Sequence, residues 1–299
     1  MTSARLPATG GVEIEDQAEA ADLVEQVADR VATRMLIALD VDGTVMLQDE
    51  SLSPGIVEAV GAAQAAGHEV MLATGRSWEG THAVLSALGL DPEYIVCSNG
   101  AVIMRRIEDG PAGYDRYERF HTETFDPERV LRLLHESVPD AHYMVELADG
   151  QRLYTEPMDD WNLRLARRVS FDELCAQPVS RVLVVSPDRT EQDFVELVHR
   201  IGLNQVSYAI GWTAWLDIAP MGVDKASGLE LVREWLGIDR AHTLVIGDGR
   251  NDLGMFAWAL EHGGRAVAMA QGPQEVRDAA GETTLSVQDG GVAAVLRAL

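Results

Sequence analysis

The chain has 299 residues, 46% hydrophobic and 24% charged, which suits two compact globular units and is too apolar for a disordered tail. Its 48 Asp and Glu against 24 Lys and Arg give a net charge of −24. Such a surface repels phosphate backbones and anionic lipid, which argues against general nucleic-acid or membrane-surface binding. It leaves room for a small anionic ligand drawn into a cleft by a local cation or metal.

Residues 1–33 are acidic and Ala-rich, and Leu23, Val24, Val27, Ala28 and Val31 predict an amphipathic helix over about 13–33. No basic stretch followed by an apolar core precedes it, no apolar run reaches the roughly 18 residues of a membrane span, and two cysteines, Cys97 and Cys175, make no disulfide framework. These features predict a soluble, cytoplasmic protein. From Met35 short apolar strands alternate with helices: 35–39 a strand, 54–66 a helix, 69–73 a strand, 77–88 a helix and 94–98 a third strand. That alternation predicts βαβ units and a parallel sheet.

The middle of the chain follows another pattern. A helix over 128–137 precedes strands at 142–147 and 152–155, which flank the turn pair Asp149-Gly150. A strand at 181–186, a helix over Thr190–Ile201 and a strand near 206–210 follow. Mixed hairpins and helices predict an inserted α+β unit over 122–208. Alternation then resumes with strands at 216–219, 243–247 and 266–270 and helices over 225–236 and 291–299. The predicted organisation is a Rossmann-like α/β parallel-sheet core over 34–121 and 209–299, interrupted by an α+β cap over 122–208 and preceded by the helical extension 1–33.

Ligands of open parallel sheets bind beyond the carboxyl ends of the strands. Four polar clusters fall at or near such ends: Asp40-Val41-Asp42-Gly43-Thr44, Thr74-Gly75-Arg76, Asp217 through Lys225, and Gly247-Asp248-Gly249-Arg250-Asn251-Asp252. The first alone can also be a capped turn after a strand, and the last alone reads at least as well as a polar turn; their convergence at one sheet edge is what points to a site. Asp40, Asp42, Asp248 and Asp252 would crowd four carboxylates into one crevice, and hard oxygen ligands of that kind favour Mg²⁺. Lys225 is the single Lys among the 24 basic residues. A compact ammonium there is not interchangeable with a planar guanidinium.

Together with Ser98-Asn99-Gly100, Gly222-Val223-Asp224-Lys225 and Asp289-Gly290-Gly291-Val292, these clusters resemble the haloacid dehalogenase superfamily, and more narrowly its Cof-type, subclass IIB phosphatases. The resemblance covers about 34–299. It implies a Mg²⁺-dependent phosphomonoesterase acting on a small phosphorylated metabolite, such as a sugar or polyol phosphate. Asp40 is then the nucleophile that becomes an aspartyl-phosphate, and Asp42 the general acid and base. Thr74, Gly75, Lys225 and Asn251 contact phosphate, and Arg76 and Asn99 face the substrate. Asp40, Asp42, Asp248 and Asp252 bind the metal. Met269-Ala270-Gln271-Gly272 departs from the family's usual Met-Gly-Asn-Ala at a peripheral contact. A phosphosugar mutase with a similar core and cap is the alternative among enzymes. A non-catalytic phosphometabolite sensor is the alternative outside them, although the intact Asp40, Asp42, Thr74, Lys225, Asp248 and Asp252 argue against it. Both monomer and homodimer remain open.

Other residues read as structural. Arg164, Arg167 and Arg168 beside Trp161 are expected on a solvated face, and Tyr143 and Tyr154 in packing as readily as along a sugar-binding face. The histidines show no metal-binding spacing, and no dinucleotide fingerprint occurs.

Overall fold

The computed structural model describes residues 34–157, 166–186 and 215–299, the backbone of 206–211, and positions 190, 192, 193, 196 and 197. The expected helix over 13–33, most of the one over Thr190–Ile201, and Trp161 and Arg164 lie outside the described residues.

The chain runs from β1 (Leu36–Leu39) through α1 (Ile56–Ala65), β2 (Glu69–Leu72) and α2 (Trp78–Leu88). An antiparallel meander of β3 (Tyr94–Cys97), β4 (Val102–Arg106) and β5 (Tyr117–Thr122) follows. Then come α3 (Glu128–Ser137), β6 (His142–Leu147), β7 (Arg152–Tyr154), β8 (Ala166–Arg168) and α4 (Phe171–Leu174). Next are β9 (Val179–Val185), β10 (Val206–Gly211) and β11 (Trp215–Pro220). The last part contains α5 (Lys225–Leu236), β12 (Thr243–Gly247), α6 (Leu253–Glu261), β13 (Arg265–Ala268), α7 (Gln274–Ala279), β14 (Glu282–Thr283) and α8 (Gly291–Leu296).

The central sheet has the order β14-β13-β12-β1-β2 with every pair parallel. Ile37 and Leu39 of β1 join one apolar cluster, which includes Ile56 and Val60 of α1 and Val292 of α8. Leu36 and Ala38 join another, with Leu229 and Val232 of α5 and Phe256 of α6. Both faces are covered, so the strand is continuously apolar rather than alternating. Leu39 pairs with both Leu72 and Ile246, which aligns the chain positions just beyond them: Asp40, Thr74 and Asp248 leave the sheet at the same edge.

A six-stranded sheet of order β10-β11-β9-β6-β7-β8 forms the second layer, antiparallel except between β7 and β8. Tyr143, Val145, Val182, Val184, Leu216 and Ile218 pack beneath Val130, Leu131 and Leu134 of α3 and Leu174 of α4. Strand alternation therefore turns Met144, Glu146, Arg152, Arg181, Leu183 and Asp217 to the other face. That face meets the core, because Arg119 of β5 pairs with Glu146 at 2.5 Å and Asn99 bonds Asp217 at 2.7 Å.

Two strands differ from expectation. Residues 216–219, expected in the resumed parallel alternation, lie in β11, which pairs antiparallel with β9 and β10. The second sheet thus extends past the edge expected near 208. Leu216 and Ile218 alternate with Asp217, the pattern of a two-faced antiparallel strand. Residues 94–98, expected as a third parallel strand, run parallel beside the end of β2 through the bridge Ala73–Val96 and the Thr74 N–H to Val96 carbonyl bond at 2.9 Å, but pair antiparallel with β4 in the meander. Arg167 and Arg168 sit exposed on β8, paired with Glu173 at 3.6 Å and Glu156 at 2.5 Å. Tyr143 is cap core, its hydroxyl donating to the Val138 carbonyl at 2.8 Å. No helix among the described residues is long and apolar enough to cross a membrane.

Glu230 clips together α5 and α6, the helices that start just beyond the candidate site. It accepts hydrogen bonds from Arg233 (3.0 and 2.9 Å), Arg240 Nε (3.0 Å) and Trp258 Nε1 (2.9 Å). The Arg233 bonds, followed by those from Arg240 and Trp258 and opposed by partial burial, push its carboxyl down to about 2 from the ordinary 4.5. A carboxyl so depressed contributes stability above about pH 4.5 and loses it as pH falls toward 2. Glu230→Gln is expected to cost about 1–3 kcal/mol near neutral pH. Thermal melts of the variant and the parent should then draw together below pH 4.5.

Candidate active site

At the end of β1 the Asp40 amide extends the parallel ladder by donating to the Ile246 carbonyl at 2.9 Å. The chain then turns sharply, with the Val41 carbonyl accepting from the amides of Thr44, Val45 and Met46 at 3.3, 3.0 and 3.0 Å. Gly43 has φ +79°, and a Cβ on it would lie 2.2 Å from Asp248 Oδ2. Only glycine therefore lets the two loops approach this closely. Gly43→Ala should displace Asp248 and lower turnover on the order of 100-fold, which steady-state kinetics beside a thermal melt would check.

Beyond β12 a second loop is organised around Asp252. Its Oδ2 accepts from the amides of Asp248 and Gly249, both at 2.9 Å, and its Oδ1 accepts from Lys225 Nζ at 2.6 Å. Lys225 Nζ also donates to Asp40 Oδ1 at 2.5 Å. A capping box at Asp224 starts α5 one residue earlier: Ser227 N donates to Asp224 Oδ1 at 2.9 Å, and Asp224 N donates to Ser227 Oγ at 3.0 Å. The cap fixes where the ammonium enters the site.

Asp40, Lys225, Asp248 and Asp252 are all buried. Burial, with repulsion from Asp252, Asp248 and Asp42, outweighs the attraction of Lys225 and lifts Asp40 well above the usual carboxylate range. Burial and Asp252 likewise push Asp248 up to about 7. For Lys225 burial acts downward, but Asp252 and Asp40 outweigh it and raise the ammonium pKa. Asp40, Asp248 and Asp252 each offer a carboxylate oxygen, all within 4.8 Å of one another. Three buried carboxylates around one ammonium leave uncompensated negative charge, and an all-oxygen donor set of this kind fits a divalent cation such as Mg²⁺. Asp252, bonded at both oxygens, suits holding the loop and Lys225 better than giving a ligand.

Thr74 is buried at the end of β2, and its Oγ1 accepts from the Arg76 amide at 3.0 Å. Arg76 grips Asp42, with Nε to Oδ2 at 2.9 Å and Nη2 to Oδ1 at 2.5 Å. Arg76, expected to face substrate, thus meets the candidate acid–base. Asn99 packs against Gly75, donates from Nδ2 to Asp217 and accepts at Oδ1 from Asn251 Nδ2 at 3.2 Å. Ser98 and Asn99 have φ of 49° and 50°, a left-handed pair that costs on the order of 1–2 kcal/mol per residue and less for Asn. Gly100 follows at φ 98°, where a Cβ would lie 2.0 Å from the Asp224 carbonyl oxygen.

Every sequence-predicted site residue falls in this one region. Three features were not foreseen. Gln271, at the departing segment, donates to the Gly43 carbonyl at 2.6 Å and Asp248 Oδ2 at 3.3 Å, while its Oε1 accepts from Val287 N at 3.0 Å. Arg181 forks onto Asp217 at 2.7 and 3.0 Å, and Arg119 joins Glu146 across the two layers. Arg181, the charged residue that opens the predicted strand 181–186 just before the apolar run 182–185, is the available signal. Cys97 is buried, and desolvation pushes its thiol up to about 12, which removes it as a nucleophile.

Fold and site define an α/β enzyme with a carboxylate–lysine centre at the carboxyl edge of a parallel sheet, beneath a second α+β layer. The sequence pattern of haloacid dehalogenase-like hydrolases matches residues 37–296, and the chain belongs to that family. It is similar to 5-amino-6-(5-phospho-D-ribitylamino)uracil phosphatase YitU of Bacillus subtilis, at 27% identity over 88% of this chain and 96% of that protein. Similarity to pyridoxal phosphate phosphatase YbhA of Escherichia coli is 28%, over 82% and 91% of the two chains. The subclass IIB sugar phosphatase BT4131 superimposes with a TM-score of 0.70 at 20% identity, covering 88% of this chain and 98% of that one. The protein is a phosphatase of the haloacid dehalogenase superfamily with the subclass IIB fold.

Proposed function

We propose that the protein is a cytoplasmic Mg²⁺-dependent phosphomonoesterase that releases phosphate from a small phosphorylated metabolite carrying a sugar or polyol. The observation that carries this reading is the buried Asp40 carboxylate, bonded at Oδ1 by Lys225 and faced by Asp248 and Asp252. Lys225 occupies one oxygen and leaves Oδ2 to attack phosphorus. The ester P–O bond breaks as Asp42 gives a proton to the leaving alcohol, and phosphate is carried on Asp40. Asp42 then takes a proton from water, which attacks that phosphate and frees it. Thr74, the Gly75 amide, Lys225 and Asn251 grip the phosphoryl oxygens, and Arg76 and Asn99 border the substrate.

The Asp40 carboxylate, the Asp42 carbonyl and Asp248, with Asp252 behind them, would hold Mg²⁺, which neutralises phosphate charge when bound. Relatives named for a phosphorylated ribitylaminouracil, for pyridoxal phosphate and for sugar phosphates support a compact phosphorylated organic substrate. The cap, expected over 122–208 and joined by β11, would supply the surface facing the phosphoryl site and select among such substrates.

The test is phosphate release from a panel of sugar, polyol, heterocyclic and nucleotide monophosphates, with Mg²⁺ and with chelator. Release that needs the metal and favours polyol or sugar esters is the expected result. Isomerised product without free phosphate would replace this reading with a mutase, and binding without turnover would replace it with a sensor.

A further inference from the structure

Asn99 is the point where three parts of the molecule meet. Its backbone N–H donates to the Thr74 carbonyl at 3.0 Å, its side chain lies against Gly75, and Asn251 donates to its Oδ1. The remaining tie comes from the second layer: Asn99 Nδ2 donates to Asp217 Oδ2 at 2.7 Å, and Arg181 forks onto both oxygens of that carboxylate. Asp217 is on β11 and Arg181 on β9, and both are almost fully buried. Met144 and Leu183 are buried on the same face. A well-packed apolar pair would stabilise such a face at least as well as a buried ion pair. What the charged pair adds is direction: a carboxylate fixed by a fork presents one oxygen to one amide.

We propose that Asp217 and Arg181 are positioning residues of the phosphoryl site, holding the Asn99 side chain between Gly75 and Asn251 so that the cap sets the geometry of the Thr74–Gly75 loop. The inference rests on the phosphatase reading for its kinetic consequence, but not for the contact itself. Neither residue touches the phosphoryl group; they act through Asn99. The link lies in the middle of β11, the strand that precedes α5 and its first residue Lys225, so cap placement and site geometry are joined along this segment.

Two double variants isolate the acceptor from the buried charge. Arg181→Met with Asp217→Asn keeps an oxygen for Asn99, whereas Arg181→Met with Asp217→Leu does not, and both remove the ion pair. With p-nitrophenyl phosphate, the first is expected to keep kcat within about threefold of the parent and the second to lose about tenfold or more, mainly in kcat rather than KM. In an Asn99→Gly background, which also suits the left-handed backbone, the two should become equal. Equal kcat for two folded double variants, or a difference that survives Asn99→Gly, overturns the proposal.

Nuclear magnetic resonance of the unsubstituted protein tests the contact without relying on turnover or on variant folding. One Asn99 side-chain amide proton should be shifted downfield and protected from exchange. Two equivalent, rapidly exchanging protons overturn the proposal even if the enzyme is active. Absence of phosphate release from every compound, with that proton still protected, counts against the phosphatase reading alone.

Discussion

Asp40→Asn is expected to abolish phosphate release while leaving the fold intact. The neutral amide cannot form the acyl-phosphate bond, so the loss should be on the order of 10⁴-fold or more in kcat with every accepted substrate. Stability should move the other way. In the parent, Asp40 is buried beside Asp252, Asp248 and Asp42, and its raised pKa records how poorly the site tolerates its charge. Asparagine removes that charge and keeps an oxygen for Lys225 Nζ, which also retains its 2.6 Å bond to Asp252. The melting temperature of Asp40→Asn should therefore equal or exceed that of the parent. A folded variant that turns over like the parent would remove Asp40 from the nucleophile's role. A variant that loses both activity and fold would mean that the carboxylate is chiefly structural.

Much of the architecture was legible because it follows from local chemistry. The strand 35–39 is apolar at every position, which only a strand covered on both faces requires, and β1 sits between two apolar clusters. Lys225 stood out because it is the one Lys in an Arg-rich chain, and it is the ammonium bridging Asp40 and Asp252. Gly43 followed from the need for a sharp turn, and its φ is +79°.

What stayed hidden depended on contacts between distant parts of the chain. Residues 216–219 read as a strand, but nothing local says which sheet takes it; β9 and β10 capture it on both edges. Arg76 was visible as a charged residue after Thr-Gly, whereas its grip on Asp42 arises only when the two loops are brought to the same edge. Gln271 replaces a shorter amide, and whether its extra reach would be used depended on distances to Gly43 and Asp248 that sequence does not contain. Periodicity and turn chemistry thus pointed to the edge where the candidate site residues gather, and tertiary packing decided which polar groups meet there.

Lys225 separates charge balance from mere packing most sharply. Lys225→Met fills a similar space but leaves Asp40 and Asp252 facing each other across a buried site, with Asp248 adding a third carboxylate. Removing one partner of a buried ion network costs about 3–5 kcal/mol, because the orphaned charges persist or must take up protons. For a chain of this size that corresponds to a fall in melting temperature of roughly 10 °C. Turnover should fall by a further factor on the order of 10²–10³, since the ammonium that steadies the phosphoryl oxygens is gone. Lys225→Arg is expected to restore little of either loss. Two carboxylates converge on a single nitrogen at 2.5 and 2.6 Å, and a guanidinium spreads its donors over a wider plane than this fully buried position accommodates. Thermal melts and phosphate release of both variants, with and without Mg²⁺, provide the check. Magnesium should raise the melting temperature of Lys225→Met more than that of the parent, because a divalent cation supplies the missing positive charge. An Arg variant with parental activity and stability would show that the site needs only a positive charge, and the case for a point ammonium would fall with it.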